Sequence, residues 1–188
     1  MTSLIPPPSD LFLREDAIRG GMDLMLFAHS RHLCKADEEL ARWGLGRAHH
    51  RVLYFVARRP GMTVGELLSI LDIAKQSFAR VARQLADKGL LAQRPGERDR
   101  RQRLLMLTDA GAELERTLFA DMRRNMAQAY AAAGGQAVAG FWMVMQNLMG
   151  DEARAHFARL HCPGAVNAPS ASARQPVMAS ASSPTDNA

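Results

Sequence analysis

Residues 63–111 read TVGELLSILDIAKQSFARVARQLADKGLLAQRPGERDRRQRLLMLTDAG, and this stretch decides how the rest of the chain is read. Thr63 can cap a helix, and Glu66, three residues on, can return a hydrogen bond to the cap's own N–H, the reciprocal arrangement of a capping box. Val64, Leu67, Leu68 and Leu71 then share one face, so the spacing predicts a short helix ending near Asp72. A second helix is predicted from about Lys75 to Lys88. Phe78, Val81, Ala82 and Leu85 recur at helical intervals, and Gly89 is the residue type that most readily takes the left-handed stop. Two helices about three residues apart make a helix-turn-helix. After Gly89 the period changes: residues 90–94 read as a short strand, 95–100 as a charged turn and 102–107 as a returning strand, a hairpin that would stand beside the helix pair as a wing.

Outward from this stretch the pattern is helical. Residues 10–43 carry Leu11, Ile18, Met22, Met25, Leu26, Leu33 and Leu40 near helical spacing, and Gly44 and Gly46 end the run. Residues 48–58 place Val52, Leu53, Phe55 and Val56 on one side before Pro60-Gly61 stops them. Thr108-Asp109 can cap a fifth helix over 110–133, with Leu114, Leu118, Met122, Met126 and Tyr130 four apart. Beyond Gly134-Gly135 a single sixth helix is predicted over 136–160, carrying Phe141, Trp142, Met145, Leu148 and Phe157. The expected fold class is mainly α with a small β-hairpin wing. A winged helix-turn-helix unit is expected over 47–109, flanked by helical regions over 10–46 and 110–161. Residues 1–9 are expected to be flexible. Residues 162–188, rich in Ala, Ser and Pro, have too little apolar surface to offset their ordering entropy and are expected to be a disordered tail.

The charge is unevenly placed. The chain has 188 residues, enough for one domain and a tail, with 24 Lys+Arg against 19 Asp+Glu, a net of +5. From Lys75 to Arg103 nine basic residues face three acidic ones, a net of +6 that exceeds the net of the whole chain. The basic excess therefore sits on the predicted second helix and hairpin, where phosphate contact is expected, and is not a uniform arginine bias.

An α-helix fits the major groove, and side chains in its first turns reach base edges. Those positions are Lys75, Gln76, Ser77 and Arg80, with Arg83 a turn further on. Gln76 can pair bidentately with adenine and Lys75 or Arg80 with guanine. All lie off the Phe78–Val81–Ala82–Leu85 stripe and should project away from the core.

In order and spacing, the helix pair, Lys88-Gly89-Leu90-Leu91, the hairpin with Arg98-Asp99-Arg100-Arg101, and the exit Leu107-Thr108-Asp109-Ala110-Gly111 resemble the MarR family of winged helix-turn-helix transcriptional regulators over roughly residues 11–160. The resemblance implies a cytoplasmic homodimer on a pseudo-palindromic double-stranded DNA site, acting as a repressor. It implies docking of the wing through Arg98, Arg100 and Arg101, with Arg101 entering the minor groove and Asp99 holding it by an ion pair. It implies pairing through the terminal helices, whose apolar surface exceeds what a small winged domain could cover. It also implies a small-molecule effector of unknown identity in a cleft among helices one, two and five. The alternative is a winged-helix module that binds a protein and not DNA.

Other signals are weaker. Cys34 and Cys162 make no disulfide framework, and Met25, not a cysteine, aligns with the position at which some family members sense peroxide. His29, His32 and Cys34, or His49-His50, are too sparse a set to predict a metal site. No phosphate loop, nucleophile elbow or paired buried carboxylates are present, so neither an enzyme nor a cofactor is expected. No apolar run is long enough to span a membrane.

Overall fold

The computed structural model describes residues 4–5, 12–96 and 99–161, so residues 1–3 and 6–11, with Asp10 and Leu11 of the expected first helix, Glu97, Arg98 and the 162–188 tail lie outside the described residues. Helix α1 runs Glu15–Arg42, α2 Arg47–Arg58, α3 Val64–Leu71 and α4 Lys75–Asp87. The hairpin follows as β1 Leu91–Pro95 and β2 Arg103–Leu107, and then come α5 Asp109–Ala133, α6 Gly135–Leu148 and α7 Asp151–His161.

Each boundary has a local cause. Thr63 Oγ1 accepts from Glu66 N at 3.2 Å, and Glu66 Oε2 accepts from Thr63 N at 2.8 Å, so the capping box forms as the spacing predicts. Helix α3 ends at Asp72, whose φ of 50° is the only positive value at a non-glycine position among the described residues. Helix α4 stops at Gly89, with φ 67°, the left-handed residue expected there. Thr108 opens α5 by accepting from Gly111 N at 3.0 Å, and its hydroxyl donates to the Gly89 carbonyl at 2.6 Å. The glycine stop and the threonine exit, far apart in sequence, are thus joined by one side chain.

The core gathers Val52, Leu53 and Val56 of α2, Leu67 and Leu71 of α3, Phe78, Val81, Ala82 and Leu85 of α4, Leu90, Leu91 and Leu105 of the hairpin region, and Leu114 and Leu118 of α5. Burying a leucine fully contributes roughly 1.5–3 kcal/mol, so this cluster fixes α4 against α2 and the hairpin. Helix α5 runs along both α1 and α2. Its first turn approaches the hairpin so closely that a Cβ at Gly111 would stand 2.0 Å from the Leu90 carbonyl oxygen.

Two features differ from expectation. The predicted sixth helix is two helices: Met149 turns extended (φ −73°, ψ 138°), and α7 restarts at Asp151 beyond Gly150. The break is stabilised by Arg154, whose Nη2 donates to the Gln146 and Met149 carbonyls at the C-terminal end of α6, each at 3.2 Å. The second difference lies before α3. Residues 61 and 62 bond to β2 through Gly61 N to the Leu105 carbonyl (2.9 Å) and Leu105 N to the Met62 carbonyl (2.8 Å), with a bridge from Thr63 to Leu104. The segment that ends α2 therefore also supplies a short third ribbon to the wing.

The last helix returns to the helix-turn-helix. Ser69 of α3 donates to Glu152 Oε1 at 2.9 Å and accepts from His156 Nε2 at 3.0 Å, while Arg159 donates to His156 Nδ1 at 2.6 Å and so fixes the proton on Nε2.

Candidate nucleic-acid interface

The sequence of α4 sorts its residues onto two faces, and the structure keeps them apart. Phe78, Val81, Ala82 and Leu85 are buried, whereas Lys75, Gln76, Ser77, Arg80 and Arg83 are all exposed. None of the ion pairs or side-chain hydrogen bonds among the described residues involves those five. Three cations, an amide and a hydroxyl that the described residues do not satisfy make a surface suited to an external polyanion.

The wing stands beside it. β1 and β2 pair antiparallel, with Leu91 opposite Leu107 and Pro95 opposite Arg103. Pro95 lacks an N–H, which a two-stranded edge tolerates. At the tip, Gln102 N donates to the Asp99 carbonyl at 3.0 Å, and Arg100 and Arg101 are exposed. The expected Asp99–Arg101 ion pair is not what forms. Asp99 Oδ1 accepts from the Arg101 main-chain N–H at 2.9 Å, a bond that shapes the turn and leaves the guanidinium without a partner among the described residues. A carboxylate two residues before an amide closes a small ring readily, and this local bond outcompetes ordering a long side chain. Arg98 lies outside the described residues.

Above the helix-turn-helix, α1, α2 and α5 line an open cavity of about 680 Å³. Its body is apolar and aromatic, with Tyr54, Phe119, Met122 and Tyr130; its polar edge has Arg47, Arg51 and Arg123 with His29, His32 and His50, and no acidic side chain among the described residues lines it. Asp37 Oδ1 and Oδ2 take Arg47 in a forked pair at 2.7–3.1 Å, and the guanidinium holds the Asp37 carboxyl below its ordinary value. His50 is buried, its Nε2 has no hydrogen-bond partner, and burial pushes its pKa down, an effect that His32 adds to and Asp37 opposes. His32 is lowered too, by burial and by neighbouring His29. Among the described residues no three His, Cys, Asp or Glu side chains gather as a metal-binding group. Cys34 is half-buried, with its Sγ 3.6 Å from Glu38 Oε1.

A model of the MarR family matches residues 43–102, and the chain is 45% identical over 150 residues to the HTH-type transcriptional regulator PetP of Rhodobacter capsulatus, an alignment covering 80% of this chain and 90% of that protein. The chain belongs to the MarR family. A second relative, the uncharacterized HTH-type transcriptional regulator YwoH of Bacillus subtilis, is 29% identical over 108 residues, which is 52% of this chain and 78% of YwoH. Among solved structures, a MarR crystal structure aligns with TM-score 0.57 at 20% identity, covering 79% of this chain and 95% of MarR. A MarR variant from E. coli in complex with operator DNA aligns at 0.55 and 20% identity, covering 76% and all of that chain. The MarR winged-helix fold is thus shared.

Sequence reasoning found the exposed face of α4 and the wing. It missed three contacts made behind them. His49 Nε2 meets Gln84 Oε1 of α4 at 2.8 Å; Arg51 Nη2 donates to the Leu71 carbonyl at 2.9 Å; and Arg59 pairs with Glu66 at 2.6 Å. The run of basic and histidine residues along α2 was the available signal, since a helix so charged and yet central must direct those side chains at something.

Proposed function

We propose that this MarR-type transcriptional regulator works in the cytoplasm as a homodimer on a pseudo-palindromic double-stranded DNA site, as a repressor released by a small molecule. The observation that carries the reading is the unsatisfied face of α4. Lys75, Gln76, Ser77, Arg80 and Arg83 point outward beside the exposed Arg100 and Arg101 of the hairpin, so one helix can enter a major groove while the wing reaches the adjacent minor groove. The E. coli relative solved with operator DNA supports the same mode of binding.

Pairing is supported by apolar surface that a single chain leaves uncovered. On α1, Met22 is 55% exposed; on α6, Phe141 is 43%, Trp142 40% and Val144 56% exposed, and no α6 residue is buried. Surface of that kind on α1 and α6, which both pack on α5, is suited to a second copy, and a twofold axis would present two α4 helices about one DNA turn (~34 Å) apart. The cavity is of a size that takes drug-like molecules, and its cationic edge over an aromatic body fits an organic anion.

A mobility-shift titration with the chain's own upstream DNA tests the reading. Affinity should fall about a thousandfold or more between 50 and 200 mM salt, as expected when several phosphates are neutralised. Absent or salt-insensitive binding would favour the protein-binding alternative.

A further inference from the structure

Arg51 belongs to two places at once. It lines the cavity, and from the same position on α2 its Nη2 donates at 2.9 Å to the main-chain carbonyl of Leu71, the last residue of α3. That carbonyl is one of the acceptors a helix C-terminus leaves unpaired. The next residue, Asp72, holds a left-handed backbone (φ 50°, ψ 53°), a conformation that costs an L-residue energy unless its surroundings enforce it. Three residues further on, α4 begins at Lys75. The guanidinium therefore holds the turn that sets how α4 leaves α3.

The three cavity arginines are not equally available. Arg47 is occupied by the forked pair with Asp37. Arg123, on α5, makes no ion pair and no side-chain hydrogen bond among the described residues, to the helix-turn-helix or elsewhere. Arg51 alone joins the cavity to the turn, and its partner there is a neutral carbonyl. A carboxylate forms the stronger, charge-assisted bond with a guanidinium, competes for its N–H groups and neutralises the charge that strengthens the bond to Leu71.

We propose that Arg51 is the coupling residue of the effector site: an organic carboxylate in the cavity draws the Arg51 guanidinium from the Leu71 carbonyl and so loosens the α3–α4 turn. This rests on the effector cavity proposed above, and the direction follows from the chemistry. An occupied cavity means a less ordered turn and weaker presentation of α4; a neutral occupant of the same shape lacks the effect.

The test uses the full chain, 1-naphthoate as probe and 1-naphthalenemethanol as its neutral counterpart. Calorimetry follows binding, and amide hydrogen exchange follows the turn over residues 68–76. With the acid, exchange there should rise about tenfold, as losing one hydrogen bond to a charged group implies. Arg51→Met should show that raised exchange without any ligand and no further rise with it, Arg51→Lys should recover part of the protection, and Arg123→Met should bind the acid more weakly while its unliganded turn stays protected. Binding of the acid with unchanged exchange, a response of Arg51→Met equal to wild type, or an equal rise with the alcohol overturns the coupling and leaves the cavity reading standing. Failure of the acid to bind overturns the cavity reading and this proposal with it.

Discussion

His49 and Gln84 join the first turn of α2 to the third turn of α4. Gly46 N donates to His49 Nδ1 at 3.1 Å, which leaves the imidazole proton on Nε2 to meet Gln84 Oε1 at 2.8 Å. One neutral ring thus caps its own helix and braces the helix that carries the cationic face. Gln84→Ala should lower stability by about 1 kcal/mol, the usual worth of a partly buried hydrogen bond, read from the urea midpoint at constant m.

Arg80→Ala should weaken specific DNA binding about tenfold, within the range for a side chain reading base edges, whereas Arg124→Ala, whose guanidinium is already paired with Asp121 on α5, should leave it unchanged. Fluorescence anisotropy with the upstream fragment distinguishes them. Equal effects would place the reading face elsewhere.

Gly111→Ala should cost about 3 kcal/mol, because its methyl group would meet the Leu90 carbonyl oxygen, and a main-chain atom cannot swing aside as a side chain can. Thermal unfolding reads this directly. A variant as stable as wild type would show that α5 and the hairpin do not approach as described.

Stability should fall on mild acidification. The folded-state pKa of His50 is lowered, chiefly by burial, while in the unfolded chain it lies near 6.5, so between those values the unfolded chain binds more protons. The neutral ring's contribution is complete above about pH 6.5 and is lost as pH drops toward the lowered pKa; His32 acts in the same direction. The Asp37 carboxylate's contribution is lost only lower, below its ordinary value. Urea midpoints at pH 8 and 5.5 should therefore differ, and His50→Gln should reduce the difference.

Val144→Glu should raise the dimer dissociation constant by about tenfold or more, since pairing would bury an unpartnered carboxylate, without changing the helicity of the chain. Sedimentation equilibrium measures the first and circular dichroism the second.

How much of this was legible in the sequence depended on how local the cause is. The α4 face could be read because Phe78, Val81, Ala82 and Leu85 repeat at the helical period, and the capping box because Thr63 and Glu66 are three apart. The break at Gly150 was hidden because one glycine inside a helical pattern is often tolerated, and Arg154, which caps the broken end, sits where any exposed helix residue could. Residues 61–62 pair with β2 over too short a length to show an alternating pattern. The Arg51–Leu71 and His49–Gln84 contacts span 20 and 35 residues, and no periodicity reports on partners so distant. The Asp99 contact was misjudged for the opposite reason: its partner was the nearest amide and not the conspicuous guanidinium.

The clasp of Glu152 and His156 on Ser69 reaches across more than eighty residues of chain. During synthesis, α3 and the hairpin are complete well before α7 leaves the ribosome, and closing so long a loop is entropically slow. The reading head is therefore assembled first and receives its final brace only when the polypeptide is nearly finished, so a chain truncated ahead of residue 151 would carry an α3 seated in the core by Leu67 and Leu71 but without its outer clasp.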